Sequence, residues 1–340
     1  MNLMKANAEL FRRTPDETFE SLQALFEHCD QQRNRSTDRW FAPREISATV
    51  SDNVLRATLG TDGAFLMNDW SFSQLCRLAS VNKETVNRLS PKTAGLVLSE
   101  TLPKGSKPFQ FFTEERRVRS LHGSVYTRLW NADLVRMLRE FAVDFQPPQK
   151  AVTGGTGLYA GEQDCFAFLI DPLAWIEIEG EAYAPGFFCW NSEVGRRSLG
   201  IQTFWFAQVC GNHIVWNAND VCEFSSKHTS KVQDGLSTIR SMIEALVKKR
   251  DEQKDSFVSV VRKAMETKLG SDAEEAFKEV CKSSIPRSVA QQAVEIAREK
   301  GRFSIWSIVD ALTRLAQKHE NAGDRTEADQ RASRFLSLVS

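Results

Sequence analysis

The chain has no net charge: 44 Lys and Arg balance 44 Asp and Glu over 340 residues. The molecule as a whole therefore has no pull toward nucleic acid or an anionic membrane, and any such contact must come from a local patch. No apolar run approaches the roughly 20 residues that cross a bilayer. The opening MNLMKANAELFRR lacks the apolar core of a signal peptide. The seven cysteines are scattered, odd in number and without a CxxC pair, which suits reduced thiols and a cytoplasmic location. Gly154-Gly155-Thr156-Gly157 is not followed by Gly-Lys-Ser/Thr, so it is not a phosphate loop. There is no internal repeat and no low-complexity tract. What remains is an ordinary globular composition, 41% hydrophobic and 26% charged, with length for about two domains.

Along the chain, Thr14-Pro15-Asp16-Glu17 reads as a helix start with a capping box. Phe19, Leu22, Leu25, Phe26 and Cys29 follow on one face, and the helix is expected to fade near Gln32. A basic link leads to short strands between Ile46 and Met67, with a turn at Thr61-Asp62-Gly63. The stretch SFSQLCRLASVNKETVNRL, Ser71 to Leu89, matches a bacterial helix-turn-helix, with Ser71 as cap and Lys83 to Leu89 as second helix. That pattern also describes any two short helices packed at a steep angle.

Two blocks of opposite charge follow. Lys104 to Arg139 holds eight basic and three acidic residues, Lys104 and Lys107 among them. Within it, FQFFTEERRVRSLHGSVYTRLW interleaves Phe111, Tyr126 and Trp130 with Arg116, Arg117, Arg119 and Arg128. Val118–Leu121 and Val125–Leu129 read as strands, and Asn131 as the cap of a helix through Phe141. Cations that follow phosphates beside rings that stack bases are the requirements of a single-strand binder. The competing reading makes the rings core and the arginines solvated. Leu158 to Gly195 then has seven acidic residues and no Lys or Arg. This block could face the basic one, hold a divalent ion, or lie solvated.

Asn191-Ser192-Glu193, between apolar strands, reads as a structural corner whose short polar side chains satisfy backbone groups. Cys210, His213, Cys222 and His228 raise the question of zinc, but their spacing is not that of a standard finger, and no metal or cofactor is expected. From Lys231 the chain turns helical. An unbroken helix to Leu269 would run about 58 Å, and its charged middle could bridge solvent or hinge. Further helices are expected over Asp272–Lys282, Pro286–Lys300, Ile305–His319 and Arg325–Val339, the last capped by Asp324.

The order of these motifs resembles the phage- and plasmid-borne proteins grouped as domain-of-unknown-function family 932. The resemblance is carried by Ser71-Phe72 with Leu75, by VRSLHGSVYTRLWNADLVRML, by Asn191-Ser192-Glu193-Val194-Gly195 with Val209-Cys210-Gly211-Asn212, and by the tail IWSIVDALTRLAQKHENAGDRTEADQRASRFL. It spans about residues 60 to 338. The family usually reads Cys-Thr-Asn-Gly where this chain has Cys210-Gly211-Asn212-His213. The resemblance implies work on mobile elements, in replication, recombination, transfer or host defence. It places the Ser71–Leu89 helices inside a larger body, and it carries over no catalytic residue.

The expectations are therefore these. The fold is α+β: a helix and basic link over 1–45, a mixed domain with a mainly antiparallel sheet over 46–230, and a helical region over 231–340. The function is non-enzymatic binding of single-stranded DNA, with annealing or recombination by a homo-oligomer. Arg116, Arg117, Arg119, Arg128, Arg196 and Arg197 contact phosphates, and Phe111, Tyr126 or Trp130 stack bases. The alternatives are a protein-interaction module that mimics DNA through Glu177, Glu179 and Glu181, and a metal-dependent nuclease using Asp164, Asp171 or Glu193.

Overall fold

The structure is a computed structural model that describes residues 9–339 apart from 149–156, 209–210, 216–223, 249, 284, 300 and 302. Most of the glycine-rich loop expected at Gly154–Gly157, and Val209, Cys210 and Cys222, lie outside the described residues. The protein is α+β, built on two sheets with a helical C-terminal region.

Strand β1 (Glu17–Phe19) and helix α1 (Leu22–Asn34) open the chain. The capping box at Thr14 does not start the helix. Ser21 caps it instead, its hydroxyl accepting from the Ala24 amide. Asp16 is drawn away to the C-terminal helices, and Glu17–Phe19 pairs as a strand. Tertiary partners thus outweigh a good local signal.

The smaller sheet has the order β2-β6-β7-β5-β4-β3. It comprises β2 (Ser36–Phe41), β3 (Ile46–Ser51), β4 (Val54–Leu59), β5 (Gly63–Met67), β6 (Phe109–Glu114) and β7 (Arg117–His122). All neighbours are antiparallel except β5 and β7. Asp52 and Asn53, with φ of 53° and 57°, make the tight β3–β4 hairpin. Three helices belong to this body: α2 (Asp69–Leu78), α3 (Lys83–Val86) and α4 (Pro91–Thr101). They bury Phe72, Leu75, Cys76, Val86 and Leu98 with Phe65 and Phe111. Asn68, not Ser71, caps α2, and Ser71 closes the capping box from inside the helix. The second helix of the helix-turn-helix text is a single turn, and its Lys83 is held by Asp69 at 2.6 Å. The pattern serves packing in this fold.

The residues expected as a strand over Val125–Leu129 form a loop leading into α5 (Asn131–Phe141). The larger sheet runs β1-β8-β9-β11-β12-β13, through β8 (Leu158–Ala160), β9 (Cys165–Ile170), β11 (Glu181–Asn191), β12 (Leu199–Ala207) and β13 (Asn212–Ile214). Strand β10 (Ile176–Ile178) pairs with β11, and β14 (Phe224–Ser226) with β12. Glu179 and Gly180, both at positive φ, turn β10 into β11. Both faces are covered. One presents Leu169, Phe187, Cys189 and Ile201 to α1, α5 and α6 (Asp234–Lys248). At one end Tyr183 and Trp205 pack on Phe257 of α7 (Arg250–Glu266), the two rings of Trp205 and Phe257 stacked 4.2 Å apart. The expected long helix therefore does not bridge solvent, because α6 and α7 each bury an apolar face in a different cluster.

Helices α8 (Ala273–Lys282), α9 (Arg287–Glu299), α10 (Ile305–Ala316) and α11 (Ala322–Ser333) complete the described helices, with a 3-10 segment over Arg334–Leu338. Asp324 lies inside the first turn of α11, and Asn321 stands at its cap position. Helix α11 lies over the second face of the larger sheet, where Phe166, Phe168, Phe188, Phe204 and Phe206 gather.

At that contact sits a polar group that no expectation foresaw. Asp329 of α11 is 1% exposed and faces His213 of β13 and Arg325, each at 3.9 Å. Neither carboxylate oxygen has a hydrogen-bond partner, nor does Nδ1 of His213. Burial pushes the Asp329 carboxyl up to about 8, against the lowering effect of Arg325. Burial, and then Arg325, hold the His213 imidazole well below its ordinary value. Both groups are thus neutral at pH 7, and the contact is not an ion pair. The folded state keeps a proton on Asp329 that the unfolded chain releases near its ordinary value of 3.8. Its contribution to stability therefore falls as pH rises toward 8. The buried histidines act in the opposite direction only near and below 6.5, their ordinary value. Melting curves should show wild-type stability falling between about pH 6.5 and 8, with Asp329→Asn staying flat over that window. A wild type as flat as the variant would refute the assignment.

Candidate nucleic-acid interface

Strand β11 ends in the corner Asn191-Ser192-Glu193-Val194-Gly195, and this corner ties the two sheets together. Asn191 donates from Nδ2 to the Leu129 carbonyl at 2.9 Å and to Asn131 Oδ1 at 2.8 Å. The Ser192 hydroxyl donates to the Gln163 carbonyl and accepts from the Arg196 amide. Glu193 is 1% exposed. One carboxylate oxygen accepts from the Asn131 amide at 2.7 Å, and the other from Arg119 Nη1 at 3.0 Å. Asn131 is the first residue of α5 and Trp130 offers no side-chain cap, so Glu193 does the capping from another part of the chain. The Glu193 carbonyl accepts from the Tyr126 hydroxyl at 2.9 Å and from Arg128 Nη1. Trp70 of α2 donates to the Val194 carbonyl at 2.8 Å. Gly195 has φ of 69°, and a Cβ there would lie 2.8 Å from the His122 ring.

The acidic and basic blocks do meet, inside one chain. Arg119 pairs with Glu193, and Arg128 reaches Asp38 at 2.7 Å. Both guanidinium groups also lie over the Phe112 ring, at 4.7 and 3.4 Å. Neither has exposed charge to give a phosphate, so the expected track loses two central members. Phe111 is fully buried in the smaller core and cannot stack a base. Tyr126 lies in a stack between His122, 3.6 Å away, and His228, 5.3 Å away. Trp130 is half-buried, edge-on to Phe112, with Arg33 over it at 5.1 Å. Arg116 is exposed, but its guanidinium donates to the carbonyls of Asp62 and Ala64. Lys104, Lys107 and Arg117 are exposed. The alternation of arginines and rings is mostly an inward cation–π arrangement.

The acidic residues are also committed. Asp164 takes Arg13 at 3.0 Å and Arg197 at 2.9 Å, and Asp171 accepts from the Leu173 amide. Of the proposed DNA-mimicking face, Glu177 and Glu179 are exposed, while Glu181 accepts from the Tyr183 hydroxyl. Among the described residues no three His, Cys, Asp or Glu side chains are grouped to hold a metal. Asn212 is buried and donates to Asp310 Oδ1 at 3.1 Å.

Arg196 and Arg197 fare differently. They border a cavity of about 270 Å³ lined by Phe166, Phe188 and Trp190 of the sheet and by Thr326, Glu327 and Gln330 of α11. Trp190 lies flat over Gly200, where a Cβ would come 2.2 Å from the indole. Arg197 is held by Asp164 and by Glu327 at 2.7 Å. Arg196 is exposed, has no carboxylate partner among the described residues, and lies 5.7 Å over the Trp70 ring. Trp70, Phe166, Phe188, Trp190 and Gln330 escaped sequence reasoning. In strands buried on both faces, alternation cannot tell a pocket wall from core.

No protein-family model, no curated protein and no solved structure matches the chain. The likeness to family 932 therefore rests on the sequence motifs alone.

Removing Glu193 strands a buried guanidinium. Glu193→Ala should cost about 3–5 kcal/mol in denaturant unfolding. The double variant Arg119→Met with Glu193→Leu should recover much of that loss. Equal losses in both would show that the ion pair is not what holds the corner.

Proposed function

We propose that the protein binds single-stranded nucleic acid at the cavity between the larger sheet and α11. The observation that carries this reading is a cavity walled by Trp190 and the edge of Phe166, with Arg196, which pairs with no carboxylate among the described residues, at its rim. In this reading one base enters against Trp190 and Phe166, where stacking is worth about 1–3 kcal/mol whatever the base. Ser198, Thr326 and Gln330 line the same cavity and offer polar atoms to a base edge. Arg196, resting on Trp70 at the rim, takes the adjoining phosphate. Arg197 shapes the wall, because its charge is shared by Asp164 and Glu327.

A site whose available cation among the described residues is Arg196 binds a strand locally rather than along a track. Annealing or recombination would then require several copies set side by side, so an oligomer is part of the proposal. A mobile-element origin rests on the motif resemblance alone.

Fluorescence anisotropy with an unstructured oligonucleotide tests this. Binding should weaken with salt on a shallow slope, about −0.7 per phosphate contact for a single strand. Arg196→Ala should weaken it by about tenfold, or roughly 1.4 kcal/mol. Gly200→Ala, whose Cβ would come 2.2 Å from the Trp190 indole and displace the ring that walls the cavity, should abolish it. Absence of salt-sensitive binding at low ionic strength would end the proposal, as would unchanged affinity in both variants.

A further inference from the structure

A second concavity lies away from the corner, in the C-terminal helices. Helices α9 and α11 both pack on α10 and leave between them a groove of about 300 Å³. Its floor is aliphatic: Ile285 and Val289 on one side, with Leu312 and Leu315 of α10 below. The α11 wall is made by Ala328 and Ala332, and these short side chains leave the volume open. Such a space is at the small end of pockets that take organic ligands.

The mouth has a different chemistry. Lys318, His319 and Arg331 all line it. Lys318 and His319 are exposed, and Arg331 is half-buried with its Nε donating to the Glu327 carbonyl. None of the three pairs with a carboxylate among the described residues. Glu320, next in sequence to His319, does not line the groove. An aliphatic slot closed on one side by two permanent cations and an imidazole is complementary to one class of molecule, an apolar tail that ends in an anion.

We propose that this groove binds a small amphiphilic carboxylate, with its alkyl tail between α9 and α11 and its head between Lys318 and Arg331. The site is independent of the nucleic-acid reading: it shares no lining residue with the cavity at Trp190. Because the slot is short, chain length is a sharp probe. Each added methylene that still fits should tighten binding about fourfold, corresponding to about 0.8 kcal/mol, and the gain should stop once the slot is full.

The experiment is calorimetric titration of the full chain below micellar concentrations. The probes are hexanoate, octanoate and decanoate, with 1-octanol and octyltrimethylammonium as head-group controls. Octanoate should bind at least tenfold tighter than octanol, and the cationic probe weakest of all. Lys318→Glu combined with Arg331→Gln should weaken octanoate to the level of octanol, and Lys318→Glu alone, at an exposed position, should show the same direction on a folded protein. Val289→Trp should occlude the slot and remove octanoate and octanol together while leaving oligonucleotide binding unchanged. Equal affinity for octanoate and octanol would overturn the head-group assignment. Binding that Val289→Trp leaves intact would overturn the location. Failure of every amphiphile alongside binding of an acidic peptide would give the groove to a protein partner and overturn the proposal.

Discussion

The buried carboxylate of Glu193 is the joint on which the architecture depends. Its two oxygens meet a guanidinium from the smaller sheet and the first amide of α5, and its carbonyl takes the Tyr126 and Arg128 donors from the loop between them. Three segments are thus tied to one residue at the end of β11. A charge so deep is costly to desolvate and is tolerated because each of its oxygens meets a buried donor, one of them a guanidinium. In the low dielectric of the interior the same bonds are stronger than at a surface. The joint therefore specifies how the two sheets sit more than it adds to net stability. That role also accounts for the short polar residues around it: Asn191 and Ser192 satisfy backbone carbonyls that the turning strand leaves open.

The joint also decides which arginines remain for other work. Arg119 and Arg128 are oriented inward by Glu193 and Asp38 and lie over Phe112. Arg116 is spent on two carbonyls, and Arg197 on two carboxylates. A chain with no net charge thus draws the two arginines nearest the corner inward, while Lys104, Lys107 and Arg117 of the same block stay exposed.

The general architecture was legible because it rests on local chemistry. Helices such as α8 and α10 announce themselves through Asp272 and Ser304, whose side chains cap them. The corner at Asn191–Glu193 could be recognised as structural from polar residues between apolar strands. What failed was decided by distant partners. Thr14 sits in a good start signal, yet Asp16 bonds the Ala322 amide some three hundred residues away, and the segment becomes a strand. An arginine beside an aromatic looks the same in sequence whether it faces solvent or lies over a buried ring. Only the position of Glu193, far along the chain, distinguishes the two for Arg119. The cavity at Trp190 was hidden for a related reason, because its far wall comes from α11.

Helix α11 is where these strands of argument converge. One face carries Thr326, Glu327 and Gln330 to the cavity at Trp190, another carries Ala328, Arg331 and Ala332 to the aliphatic groove, and a third buries Asp329 against His213. A single helix of twelve residues therefore forms a wall of two concavities and holds an unsatisfied carboxyl between helix and sheet. Such a helix is held less firmly than its burial alone implies, because the Asp329 carboxyl at its inner face gains no hydrogen bond from docking. A ligand that prefers one position of α11 acts on both concavities through that position, and the coupling must run equally in each direction. The strength of any communication between the two sites is thus bounded by how far α11 can shift before Arg197, Asp16 and Gln202 lose their bonds to it.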